Sequence, residues 1–473
     1  MIKNISYCLF FALLILVSGC KQKNETESST TEETAYQPAS PKYTARYDHS
    51  TPTAKIDVES AISTSSPVRL SEVASTIEYY QVGDDKYPVT EVVAVEGGFI
   101  ALNKPKLYLY RQGKKRKRVG LKTEYSNWRD NESGNNLFYD KKTTRLYVQL
   151  KKLNQETGYS TKYIGELPPL DSVLARVHYL YPDSLPNRRL LKNWVEIFTP
   201  EMSVGRFNYP GTGFDYGVNT FNLKGDTLCH FYFGIDSIGT IKSDNFYNFT
   251  LFHTSYLYDN KPTFSATYCD TVYRLLDQQT IAPVYAIHLG KYKAPATYVI
   301  NRGDKRNKAW VDNLRENSQA VFLKVHREGK SNKSGWLDNK DKQNQDFPSE
   351  DYLMVYLKNK RQTRALPLAA TGMTNDLDGG LPFWPDGQTD EYMYMIRPAG
   401  ELKKGIKLTG SPKQETLKNF LSDLPDNQNV MIVVKYGSCH LPGKLIELIG
   451  IYDNRLPYSL FLLRITILTY QLN

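Results

Sequence analysis

Long apolar runs are nearly absent from these 473 residues, which excludes a protein with several membrane-spanning helices. Cys8 to Val17 is apolar but only about half the roughly 20 residues that a spanning helix needs. Leu456 to Tyr470 is short and interrupted by Arg464, so it gives no span either. Cysteine is scarce, with 5 in the chain, and no Cys-x-x-Cys or paired Cys/His set occurs, so no metal site is expected. The 7 histidines are scattered at 49, 178, 230, 253, 288, 326 and 440, without His-Glu-x-x-His spacing. Gly-x-Ser-x-Gly and the phosphate-binding Walker loop are both missing, and Pro210-Gly211-Thr212-Gly213 reads as a turn because no helix pattern follows it. These absences leave no cofactor and no catalytic residue to name.

The beginning of the chain is more informative. Lys3 supplies a positive start, the apolar run follows, and Val17-Ser18-Gly19 places small residues before Cys20. This is the pattern of a secretory signal peptide, and it resembles a bacterial lipobox, in which Cys20 becomes the first mature residue and carries lipid. Residues 1–19 are then a signal peptide. Two or more acyl chains at Cys20 would give stable attachment to a membrane, at about 0.8 kcal/mol per buried methylene. Of the other cysteines, Cys229 and Cys269 could pair in an oxidising envelope, and two buried free thiols satisfy the sequence equally well.

Residues 20–66 are rich in Ser, Thr, Glu and Pro and poor in large aliphatic side chains, which predicts a flexible tether with Val58 and Ile62 docking near its end. From residue 67 to 436 short runs of β-branched and aromatic residues alternate with Gly, Asn, Asp and Pro, the pattern of an all-β domain. The 35 tyrosines and 19 phenylalanines suit pleated, half-buried surfaces. Runs at 77–80, 89–95, 98–102 and 107–110 read as four strands of one propeller blade, with Glu96-Gly97-Gly98 as a turn. Two peripheral helices are predicted. Asp304 to Asn317 carries Trp310, Val311 and Leu314 at helical spacing, and Ser411-Pro412-Lys413-Gln414 is a capped start for a helix burying Leu417, Phe420 and Leu421. Residues 437–473 form a C-terminal extension with no assigned element.

Three segments carry a family resemblance: Val68-Arg69-Leu70-Ser71-Glu72-Val73-Ala74 followed by Ile77-Glu78-Tyr79, then Asp270-Thr271-Val272-Tyr273-Arg274-Leu275, then Pro283 to Tyr292. On these residues the chain resembles uncharacterised lipoproteins of Bacteroides-type bacteria that are expected to fold as six-bladed β-propellers. The resemblance implies a six-bladed ring over roughly residues 66–436, which the apolar strand Asn429 to Lys435 could close. It implies no activity.

Asn375 to Glu391 is the strongest local candidate for a site. Asp376, Asp378, Trp384, Asp386 and Asp390 are candidate ligand-binding residues there, with Phe383 and Glu391 beside them, because carboxylates with an exposed indole could hold Ca²⁺ or stack a sugar. A connecting loop punctuated by Gly379-Gly380, Pro382 and Pro385 fits the same residues. The basic run Arg111, Lys114, Lys115, Arg116, Lys117, Arg118 and Lys122 reads as a solvated hairpin end or a contact for anionic lipid or glycan. Export argues against nucleic acid, despite a net charge of +10. The expectation is a lipoprotein of the cell envelope, on the outer membrane and facing the periplasm or the surface. It would be a binding or scaffold propeller for a glycan, peptide or protein partner, with a polysaccharide hydrolase or lyase as the alternative.

Overall fold

The computed structural model describes residues 41–436 apart from 51, 85–88, 104–105, 113, 115, 120–136, 154–159, 168–177, 180–194, 198, 208–216, 223–225, 233–251, 267–269, 294–306, 330–348, 390 and 407–411. The chain opens with β1 (Arg46–Tyr47), β2 (Ala54–Asp57), helix α1 (Val58–Ser63) and β3 (Thr76–Asp84). Six antiparallel blades follow. The first is β4 (Val89–Val95), β5 (Gly98–Asn103), β6 (Lys106–Tyr110) and β7 (Lys117–Val119). The second is β8 (Leu137–Asp140), β9 (Arg145–Leu153), β10 (Ser160–Leu167) and β11 (His178–Tyr179). The third is β12 (Val195–Ile197), β13 (Ser203–Phe207), β14 (Gly217–Phe221) and β15 (Thr227–Tyr232).

The fourth blade comprises β16 (Phe252–Tyr258), β17 (Lys261–Ala266), β18 (Thr271–Leu275) and β19 (Thr280–His288), and β1 and β2 add to β19 in parallel. The fifth is β20 (Ala309–Glu316), β21 (Ala320–Arg327), β22 (Glu350–Leu357) and β23 (Gln362–Ala365). The sixth begins with β24 (Gly387–Gln388) and β25 (Tyr392–Pro398). It then passes through helices α2 (Ala399–Gly405) and α3 (Pro412–Ser422) to β26 (Gln428–Lys435), and is completed by β3. This is a six-bladed β-propeller with β4, β8, β12, β16, β20 and β24 as its inner strands.

The ring closes where the hydrophobic pattern is strongest. Val430 to Val434 are all buried, and β26 pairs antiparallel with β3, so an N-terminal strand becomes the outermost strand of the last blade. The run at 77–80 therefore belongs to the sixth blade, not to the first as its proximity to 89–110 suggested. Apolar side chains gather between blades, which is where a propeller keeps its core. One such cluster joins Val321, Leu323 and Met354 of the fifth blade to Val272, Tyr285 and Ile287 of the fourth. Another joins Tyr80, Val82 and Met431 of the sixth blade to Val92 and Phe99 of the first.

The segment expected as the second half of the tether is part of the fold. Tyr43 N donates to Leu228 O at 2.7 Å, β1 and β2 extend blade four, and Ser66 N donates to Ala365 O of blade five at 2.8 Å. Ile56 and Val58 are fully buried. The sequence lacked the apolar area to fold alone, but an existing sheet edge at β19 supplies the backbone partners and the apolar surface it needs.

Asp304 to Asn317 contains no helix among its described residues. It forms β20, and a bulge between Val311 and Asn313 shifts the alternation by one, so that Ala309, Val311, Leu314 and Glu316 all face inward. An interval of three between buried residues therefore imitates a helix. The helix read from Pro412 is present and buries Leu417 and Leu421. No helix among the described residues is long and apolar enough to cross a membrane.

Candidate functional site at the inner strand ends

The bulge in β20 decides the direction of its last side chain. It turns Glu316, with Leu314, toward blade four, where Glu316 is 0 % exposed. An isolated carboxylate would be very costly in that position, and four donors meet it. Oε1 accepts from the Tyr285 hydroxyl at 2.6 Å and from Lys358 Nζ at 2.7 Å. Oε2 accepts from the Tyr256 hydroxyl at 2.8 Å and from the Arg274 guanidinium. These partners come from β16, β18, β19 and the turn after β22, so two blades contribute. Above them the Tyr258 ring has Arg274 and Lys358 each 4.5 Å from its centroid, a double cation–π contact.

Gln388 of β24 ties the ends of three inner strands together. Its side-chain oxygen accepts from Glu316 N, and its amide nitrogen donates to Leu257 O at 3.1 Å. Thr254 of β16 meanwhile accepts from Leu314 N at 3.1 Å.

The titration behaviour follows from burial. Burial, then the Glu316 charge, push the hydroxyls of Tyr256 and Tyr285 well above the usual phenol range. Burial pulls Lys358 below the usual lysine range despite Glu316. Burial also opposes the charge on Arg274, but Glu316 and the tyrosines outweigh it and raise that guanidinium. Both lone-pair regions on each Glu316 oxygen are thus engaged. The carboxylate is a staple between blades and has no acceptor position left for a substrate proton. Two cations against one carboxylate leave the cluster positive.

Arg315 points to the opposite face of β20, toward blade six, as strand alternation requires. Burial holds its guanidinium below the ordinary arginine range.

A separate group lies across blade five: donor atoms of Asp312, His326 and Asp351 are all within 4.8 Å of one another. Those residues could hold a divalent ion, and two of them already pair with each other. His326 Nδ1 bonds Asp351 at 2.7 Å, and Lys324 Nζ stands 3.6 Å from the same carboxylate. The His326 bond, ahead of the Lys324 charge, keeps Asp351 below the usual carboxylate range. Cross-strand pairing of β20 with β21 and of β21 with β22 brings this group together, which is why spacing along the chain gave no sign of it.

A sequence family described as a domain of unknown function, DUF4933, matches residues 38–407. The chain belongs to the DUF4933 family. The start of that match agrees with the docked segment that begins near Pro41. No curated protein matches the chain. A crystal structure from Bacteroides fragilis, of a protein described as exported, is similar at a TM-score of 0.48 and 12 % identity, covering 82 % of this chain and 100 % of its own.

In this DUF4933 chain the acidic loop is bound to its own scaffold. Asp376 accepts from Ser71 N at 3.0 Å and Ser71 Oγ at 2.6 Å. Asp378 is buried and accepts from the Tyr79 hydroxyl at 2.6 Å and from Asn375 Nδ2 at 2.8 Å. The Ser71 bonds fasten the loop to the segment leading into β3, and the Tyr79 bond fastens it to β3 itself. Trp384 is half-buried and packs edge-on against Phe322 at 5.9 Å. Asp386 pairs with Arg397 at 2.8 Å and accepts from Ile396 N, and Glu391 pairs with Lys141 at 2.7 Å. These residues are engaged with different partners and do not converge on one another through hydrogen bonds.

Asp390, Cys20, Cys269, Cys439, Lys115, Lys122, Pro210 to Gly213 and the tail after Tyr436 lie outside the described residues. Cys229 is buried in β15 as a free thiol, pushed up to about 11 by burial. Of the basic run, Lys117 and Arg118 lie on the short strand β7, and Arg116 covers the Tyr108 ring at 4.8 Å. The Glu316 cluster was missed. Two of its members, Arg274 and Tyr285, lie in the segments that carried the family resemblance, and Tyr256-x-Tyr258 was a visible alternation.

Proposed function

We propose that this chain is a lipid-anchored, non-enzymatic binding propeller of the cell envelope that presents the inner-strand ends of blades four to six to a glycan, peptide or protein partner. The observation that carries this reading is the saturation of Glu316. A hydrolase or lyase would need a carboxylate able to exchange a proton, and the most buried carboxylate among the described residues at this end of the ring is held by four donors. The anchor follows from Lys3, the short apolar run and Val17-Ser18-Gly19-Cys20, which also support an outer-membrane position facing the periplasm or the surface.

Two measurements test the proposal. Labelled palmitate should incorporate into the full chain in cells and be lost in Cys20→Ser. Retention of the label in that variant would refute the anchor. The acyl-free Cys20→Ser protein should bind at least one of peptidoglycan, an arrayed polysaccharide or an arrayed envelope peptide saturably. Absence of binding on all of them would refute the binding role.

A further inference from the structure

Blade five carries a set of side chains that the binding reading does not use. Val321, Leu323 and Val325 of β21 pack toward blade four, so strand alternation puts Lys324 and His326 on the opposite face. His326 lies opposite Trp310 of β20 and Asp351 of β22, which share that face. Asp312 is the extra residue of the β20 bulge and has no residue of its own opposite it. Its half-buried carboxylate has no hydrogen bond or ion pair among the described residues. Asp312, His326 and Asp351 each offer a ligand atom within 4.8 Å of the other two.

The surroundings of His326 are those of a ligating histidine. Asp351 divides its oxygens: Oδ1 accepts from His326 Nδ1 at 2.7 Å, while Oδ2 stands 3.6 Å from Lys324 Nζ. Beyond the other ring nitrogen, Glu328 Oε2 is 3.8 Å from Nε2. A carboxylate at one nitrogen fixes the orientation of the ring and raises its basicity toward an ion at the other. The Trp310 ring lies 4.8 Å from the imidazole, tilted by 40°, and supports it from a further side.

We infer that Asp312, His326 and Asp351 bind one divalent transition-metal ion of the zinc class, with Glu328 as the positioning partner of His326. Zinc takes imidazole nitrogen and carboxylate oxygen at about 2.0–2.2 Å, which sets two ligand atoms about 3.4 Å apart in a tetrahedron, within the separation this group already meets. The ion replaces the Nδ1 proton between His326 and Asp351, and that proton leaves to solvent. The two ligand carboxylates balance its charge. Lys324, whose side chain is 43 % exposed, turns out into water. An imidazole among the ligands favours a transition metal over Ca²⁺ or Mg²⁺, which prefer oxygen alone. Three protein ligands leave the fourth position to water. The site stands apart from the Glu316 cluster, on the other face of the blade, and does not depend on the binding role proposed above.

The test is calorimetric titration of the metal-free Cys20→Ser protein and its variants with Zn²⁺, Ca²⁺ and Mg²⁺. Zn²⁺ should bind saturably, and its affinity should fall about 10- to 100-fold in Glu328→Gln and further in Asp312→Asn and His326→Gln. Lys324→Met should bind Zn²⁺ more tightly, since a cation beside Asp351 opposes the ion. Ni²⁺ should quench part of the tryptophan fluorescence, and that part should be missing in Trp310→Phe. Every substituted side chain keeps solvent contact, so urea midpoints near the parent's are expected, and Asp351→Asn at the most exposed ligand supplies the same reading if another variant fails to fold. Absence of saturable Zn²⁺ binding, an affinity unchanged in the folded ligand variants, or Ca²⁺ bound as tightly as Zn²⁺ would overturn the inference. Full Ni²⁺ quenching retained in Trp310→Phe would place the ion elsewhere and overturn it as well.

Discussion

Replacing Glu316 with glutamine removes one charge and nothing of the shape, which makes it the sharpest probe of the blade four to blade five junction. In the wild type the side chains of Arg274 and Lys358 are 13 % and 22 % exposed and share one fully buried carboxylate. Glutamine leaves both cations without a counter-charge and aims an N–H₂ at two of the former donors. Removing one partner of a buried ion pair typically costs about 3–5 kcal/mol, and two cations depend on this one, so the upper part of that range is expected. Replacing Glu316, Arg274 and Lys358 together with apolar residues of similar volume should restore much of the loss, because the desolvation cost disappears with the charges. Urea unfolding of the Cys20→Ser protein and its variants, followed by circular dichroism, measures both effects. A Glu316→Gln variant within about 1 kcal/mol of the parent would refute the reasoning, since that is the range of an exposed pair. So would a triple variant no more stable than the single one.

Two further outcomes follow from the same structure. A chain beginning at Pro67 should unfold at lower urea than one beginning at Pro41, because Ile56 and Val58 lose fully buried positions worth about 1.5–3 kcal/mol each, and equal midpoints would show that the docked segment adds nothing. Alkaline titration should destabilise the protein. Tyr256, Tyr285 and Tyr79 are raised in the folded state, so their contribution is complete below the unfolded value of about 10 and falls as pH rises above it, at up to about 1.4 kcal/mol per pH unit each. Lys358, lowered in the folded state, works in the other direction below 10.5, so the decline should begin only near pH 10. The part of the phenolate absorbance that Tyr285→Phe removes should appear together with loss of circular dichroism, and that substitution should flatten the decline. Appearance of that difference absorbance well before unfolding would contradict the burial of the Tyr285 hydroxyl.

The strands were legible because β-branched and aromatic runs bounded by turn residues state their own length, and the ring-closing strand was legible because Val430 to Val434 is apolar on both faces. Helix α3 was legible through its proline start and its spacing of Leu417 and Leu421. β20 was misread because one bulge changes a period of two into an interval of three. The docked segment was misread because its stability lies in the edge of β19 and not in its own composition.

The Glu316 cluster was illegible for a deeper reason. Its members at 256, 274, 285, 316 and 358 meet only through the packing of one blade on the next. The acidic loop looked like a ligand site because Asp376 and Asp378 are close in sequence, whereas their partners, Ser71 and Tyr79, are some 300 residues away along the chain.

The central claim is that this end of the ring holds a ligand without transforming it. The most direct measurement incubates the Cys20→Ser protein with each polysaccharide it retains and follows both bound ligand and released reducing or unsaturated ends. Saturable retention with no product beyond that of a protein-free control is the expected result. Product that accumulates with enzyme concentration and disappears in Glu316→Gln, under conditions where that variant stays folded, would contradict the account.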